Sequence, residues 1–139
     1  MTKDVEFKKL FEELKAVSHQ ALAECPAPTP MIVGHPTHPL GNDVDLSKEH
    51  WFVADGVCGF AYVVLESGRT GFAQWLKKNE LGRKWWSYGR EKGVGVATYP
   101  RLGFADIGQS FEKNKYVASR IAAHLRNAGY DAWVDARID

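Results

Sequence analysis

Cysteine is scarce in this chain: Cys25 and Cys58 are its only two, too few for a disulfide framework or a four-cysteine zinc site within one molecule. Both are expected to be reduced and structural. An excess of charge of one sign is missing as well. The 18 Lys plus Arg stand against 17 Asp plus Glu, a formal +1, so no whole-molecule field draws the chain to polyanions or acidic bilayers. Any such binding must come from a local patch. No apolar run reaches membrane-spanning length, and Met1 to Glu6 lead into an amphipathic stretch rather than the hydrophobic region of a secretory leader. A cytoplasmic location without membrane partners is expected. The phosphate loop G-x-x-x-x-G-K-[ST], the dinucleotide fingerprint G-x-G-x-x-G and the zinc motif H-E-x-x-H do not occur either, and no cofactor is expected.

What the 139 residues do hold, 45% hydrophobic and 25% charged, suits a single domain closing one core. Three parts are expected within 1–139: an N-terminal helix over 1–25, a proline-rich loop or arm over 26–50, and an α/β core over 51–139. Phe7, Leu10, Phe11, Leu14, Val17, Ala21 and Leu22 follow the spacing of one helical face. Thr2 or Asp4 can cap that helix, and Pro26, Pro28 and Pro30 stop it. The loop that follows has five of the six prolines and room for a short strand at Met31 to Val33. A tight hairpin is predicted at Asp55-Gly56, joining Trp51 to Val53 with a central strand over Val57 to Leu65, in which Gly59 and Ala61 leave room for a close helix. Thr70 caps a short helix bearing Phe72, Trp75 and Leu76, and Gly93 to Tyr99 alternate as a strand. Ser110 opens a long helix that Gly129 stops, and Tyr130 to Ile138 make a last half-buried strand. The order α-β-β-α-β-α-β predicts an α+β fold, a mixed or mainly antiparallel sheet of about four strands with helices packed on it.

Four constellations could bear chemistry. His35 and His38, with Asp43, Asp45 and His50 behind them, offer donors that zinc accepts, although a solvated loop collects the same residues. Ser110 and Lys113 have the S-x-x-K spacing of an acyl-transfer nucleophile, but Ser110 also stands where a helix needs its cap. Cys58 falls in an apolar strand expected to bury it, and no catalytic residue is assigned. The strongest surface is 77–92, where Lys77, Lys78, Arg83, Lys84, Arg90 and Lys92 outnumber Glu80 and Glu91 among Trp85, Trp86 and Tyr88. Cations beside aromatic rings suit either a protein interface or nucleic acid, whose phosphates meet charge while bases stack. Lys84, Trp85, Trp86, Tyr88, Arg90 and Lys92 are the predicted binding residues, with both indoles outside the core.

Three stretches carry a resemblance: Asp55 to Val63 (DGVCGFAYV), Gly108-Gln109-Ser110 at a helix start, and Ala136-Arg137-Ile138-Asp139. Residues 50–139 resemble a group of small proteins of tailed bacteriophages that pair a DGVCGFAWV-like strand with a QS helix and a terminal SRLD. This chain departs from them at Ala136 and Ile138. The resemblance implies a viral origin, with the virion as an alternative location, and no activity. Residues 107–134 are also similar to half of a SPOR peptidoglycan-binding repeat, a βαββαβ family. The expected function is a non-enzymatic phage accessory protein that binds a host or viral protein, with homo-oligomerisation open; nucleic-acid or nucleotide binding through 77–92 is the alternative.

Overall fold

The computed structural model describes residues 2–41 and 43–139. The first apolar stripe forms α1 (Thr2–Glu24), which buries Phe11, Leu14 and Ala21. Thr2 and Asp4 lie inside the helix rather than capping it, and the Asp4 carboxylate accepts the Trp75 indole N–H at 2.7 Å. Past the prolines come β1 (Met31–Gly34) and β2 (His50–Val53), which pair antiparallel with Met31 opposite Val53 and Gly34 opposite His50. This corrects the predicted hairpin. Asp55-Gly56 does turn the chain, with Gly56 at φ 72°, but β2 pairs back with β1 and not forward with the next strand. An Asp-Gly pair sets a local bend; the partner of a strand is chosen by contacts far along the chain.

That next strand is β3 (Gly59–Leu65), followed by α2 (Gly71–Lys78), β4 (Arg83–Ser87), β5 (Arg90–Ala97), a short 3-10 turn at Pro100–Leu102, α3 (Phe111–Asn127) and β6 (Ala132–Ile138). The four strands form one sheet in the order β4-β5-β3-β6, every neighbouring pair antiparallel. The fold is therefore α+β with an antiparallel main sheet. Residues 59–138 run β-α-β-β-α-β, the split βαβ arrangement. β4 has no forerunner in the predicted elements. It joins β5 through Tyr88 and Gly89, at φ 51° and 75°, the two positive values that a two-residue hairpin turn requires.

All helices gather on one face of the sheet. Ala61, Val63 and Leu65 of β3, Val94 and Val96 of β5 and Ala132 of β6 meet Val117, Ile121 and Leu125 of α3 and Phe72 and Leu76 of α2, while α1 packs on both helices from outside. Gly59 permits that approach, because a Cβ there would stand 2.7 Å from the Phe111 ring. The helix ends follow the chemistry of their caps. Thr70 Oγ1 accepts the Ala73 N–H at 3.2 Å, Ser110 Oγ accepts that of Lys113 at 3.3 Å, and Gly129 leaves α3 at φ 96°. Among the described residues no helix is long and apolar enough to cross a membrane.

Candidate binding surface

Because side chains alternate along a strand, the residues between the core positions point to the face that no helix covers. They are Phe60, Tyr62 and Val64 on β3, Trp133, Asp135 and Arg137 on β6, Gly93, Gly95 and Ala97 on β5, and Arg83 and Trp85 on β4. Gly95 leaves a depression, and Trp85 fills it. Its indole lies where a Gly95 Cβ would be and reaches Tyr62, ring centroids 4.7 Å apart, while Phe60 meets Tyr62 edge-on at 5.6 Å. The Arg137 and Arg83 guanidinium carbons stand 5.5 and 6.0 Å from the Trp85 ring, within cation–π reach. Trp85 is thus only 5% exposed, and Val64 is fully buried outside the helical core.

The sequence expectation that both indoles face solvent is corrected for Trp85 and holds for Trp86. A bulge between Trp85 and Trp86 breaks the alternation and turns Trp86 outward, 57% exposed. Lys84, Arg90 and Lys92 are exposed along the same hairpin, with Tyr88 at its tip. One groove of about 290 Å³ is lined by Arg83, Lys84, Trp85, Trp86 and Arg137. A second, of about 300 Å³, includes Gly95 and Ala97 of β5 and, around them, Tyr62, Tyr99, Arg83 and Arg101. Tyr62, Tyr99, Arg101 and Arg137 were not predicted as binding residues, since only the sheet order brings them beside the 77–92 segment.

Electrostatics on this face is set by pairs. Arg137 donates through Nε and one terminal nitrogen to the two Asp135 oxygens at 3.2 and 3.0 Å, and Asp135 holds its pKa above the ordinary arginine value. Burial, and next the neighbouring Tyr99 phenol, push the Tyr62 hydroxyl up, so it stays a neutral donor at physiological pH. The indole N–H groups of Trp85 and Trp133 are buried and meet no acceptor among the described residues.

No family model, curated protein or solved structure matches the chain. A split βαβ sheet hosts many unrelated activities.

The remaining candidates separate. Among the described residues no three His, Cys, Asp or Glu side chains converge to hold a metal ion, and His35 and His38 stand exposed on the loop after β1. Ser110 is the α3 cap and Lys113 turns its Nζ to Asp55 at 3.1 Å, so the pair does not form a nucleophile and its base. Cys58 is exposed rather than buried, because it precedes β3 by one residue. The arm over 26–50 is organised as the β1–β2 ribbon, on which Ile32, Val33, Trp51 and Phe52 are all exposed.

Proposed function

We propose that this chain binds single-stranded nucleic acid across the uncovered face of its sheet. The observation that carries the reading is the interleaving there of Arg83, Arg101 and Arg137 with Tyr62, Tyr99 and Trp86 around two open grooves. Guanidinium groups meet phosphates and can stack on bases through their planes, and rings take bases of any sequence. With a formal charge of only +1, attraction comes from this local cluster and not from the whole molecule.

The test is fluorescence anisotropy of labelled oligo(dT) and oligo(rU) across a salt series. Binding is expected to weaken with salt, Arg83→Ala to lower the salt slope by about one, and Trp86→Ala to cost about 1–3 kcal/mol. Absence of binding at low salt, or binding indifferent to both substitutions, overturns the reading.

A second reading, binding to a host or viral protein, is favoured by the ribbon. Trp51 and Phe52 are 53% and 69% exposed, Ile32 and Val33 45% and 42%, on a two-stranded ribbon of a kind that is marginal in water by itself. Large aromatic side chains of this sort anchor protein interfaces. The resemblance of residues 50–139 to small phage proteins supports a viral setting. Here Trp51→Ser with Phe52→Ser abolishes a complex isolated from infected cells and leaves oligonucleotide binding unchanged. Survival of the complex in that variant removes the ribbon from the interface.

A further inference from the structure

The hairpin that joins β4 to β5 turns on a residue its geometry does not favour. Its central pair, Tyr88 at φ 51° and Gly89 at φ 75°, has the two left-handed values that a type I′ turn requires, and such a turn prefers Asn, Asp or Gly at the first place. Gly89 meets that demand. Tyr88 does not, because a side chain at positive φ crowds the following carbonyl oxygen, and asparagine there would suit the turn better. Packing does not compensate. The Tyr88 side chain is fully exposed, and nothing stands within 4 Å of where a Gly89 Cβ would be, so the tip projects clear of the rest of the molecule. A large ring held in a strained conformation and left wholly to solvent marks a place of contact with something outside the chain.

The flanks of the tip indicate what that partner is made of. Lys84 on β4 and Arg90 and Lys92 on β5 are exposed, and among the described residues none of the three is in an ion pair. Glu91 is the one carboxylate on the hairpin. Free cations around a bare ring suit a polyanion with flat faces, whereas the centre of a protein interface is depleted of lysine. The bulge adds a bend. Trp86 lies opposite Glu91 and Trp85 opposite Gly93, so Lys92 is the extra residue, and a bulge increases the twist of the strands around it. The outer end of the hairpin, with Tyr88, thus turns away from the plane of the grooved face.

We propose that the β4–β5 hairpin is a wedge that stacks Tyr88 on the last base pair of a duplex, where a single strand leaves it to run across the sheet. This rests on the nucleic-acid reading and names the form of its substrate, a junction between single and double strands. The grooves beside Arg83 take unpaired bases, and the length of a duplex, with its bases stacked on one another, offers them no free ring. At the end of a duplex the last pair does expose one face. A ring on a projecting tip reaches that face, and Lys84, Arg90 and Lys92 meet phosphates of the two strands that part there. Stacking needs no particular base, so the wedge recognises the junction and not its sequence.

Fluorescence anisotropy of the whole chain on three DNAs tests it: a hairpin duplex bearing a single-stranded dT tail, the same tail alone, and the duplex with a blunt end. The tailed duplex is expected to bind about tenfold more tightly than the tail, and the blunt duplex more weakly than either. A 2-aminopurine in the last base pair is expected to change its emission on binding, since that fluorescence follows stacking. Tyr88→Asn is expected to erase the advantage of the tailed duplex, to bind the tail as before, and to melt about 2–5 °C higher because Asn-Gly suits the turn. Tyr88→Phe keeps the advantage, since the ring stacks and the hydroxyl does not. A tailed duplex bound no more tightly than the tail, or an advantage that survives Tyr88→Asn, overturns the wedge and leaves the nucleic-acid reading standing. An equal loss of tail and tailed-duplex binding in Tyr88→Asn also overturns it and places Tyr88 among the rings that take unpaired bases. Absence of binding to all three DNAs overturns both readings and leaves the tip to a protein partner.

Discussion

On one side of β3, Ala61, Val63 and Leu65 lie beneath α2 and α3, where buried aliphatic side chains from both helices close the space. On the other side, Phe60, Tyr62 and Val64 have no helix above them, and a tryptophan from β4 reclines across the sheet over Gly95, the residue paired with Val64. The same backbone therefore supports two kinds of surface. Helical cover is redundant, many small contacts each replaceable in part. The tryptophan cover depends on one ring, on the missing side chain of Gly95 beneath it, and on the arginines above it. Stability is expected to concentrate on the first face, which leaves the second for the proposed binding.

The largest way to break this contrast is Ile121→Ala. Ile121 is 1% exposed between α3 and the sheet, and truncating it should cost about 2–5 kcal/mol in urea unfolding while oligonucleotide binding by the folded fraction stays as it was. Trp86→Ala is its mirror image, with stability unchanged within about 0.5 kcal/mol and binding weakened by about 1–3 kcal/mol. A comparable stability loss from both would mean that the faces are not separate in function. Next in size is Gly95→Val, which places carbon where the Trp85 ring lies. Overpacking of this kind costs about 1–3 kcal/mol. Trp85 should lift from the sheet, and tryptophan fluorescence should shift to the red and become more accessible to acrylamide. An unchanged spectrum would show that Trp85 is not held by the glycine floor. Ser18→Ala comes third. Ser18 is fully buried, its hydroxyl donates to the Lys15 carbonyl at 2.6 Å and accepts the Ala105 N–H at 3.0 Å, so alanine strands a buried donor at about 1–2 kcal/mol, read by thermal melting.

Much of the helical face was legible in the sequence, for a physical reason. α1, α2 and α3 bury one stripe each, which leaves a 3.6-residue period on the page, and Thr70, Ser110 and Gly129 act within one turn of where they stand. β6 could be read because its apolar residues alternate with polar ones, and β3 because it is apolar on both alternations, as a central strand is. β4 could not. Arg83-Lys84-Trp85-Trp86-Ser87 combines an edge position with a bulge, and both erase the period of two. The binding face was half legible: the cations and aromatics of 77–92 are local, but Trp85 is buried by residues of three other segments, Gly95, Tyr62 and Arg137. One signal was available. Gly95 stands between Val94 and Val96, and a glycine inside a strand marks a place where something approaches it closely.

The smallest effect expected concerns the rim of the helical face, where the Arg120 guanidinium of α3 donates to Glu24 at the end of α1 at 2.9 Å. That hydrogen bond, and after it the one from Gln20, hold the Glu24 carboxyl below its ordinary pKa of 4.5. A carboxyl that is more acidic in the folded state than in the unfolded one contributes stability above its unfolded pKa. The contribution fades as pH falls through the lower, folded value. Both side chains are substantially exposed, so the pair is screened and its worth at neutral pH is small. Glu24→Gln should therefore lower the melting temperature slightly at pH 7, and the difference from wild type should vanish well below pH 4.5. A difference that persists undiminished in acid would assign it to packing at the α1–α3 contact instead of to charge. Because the substitution sits on the helical side, oligonucleotide binding should not register it at any pH where the chain is folded, and a change there would join the two faces that the sheet holds apart.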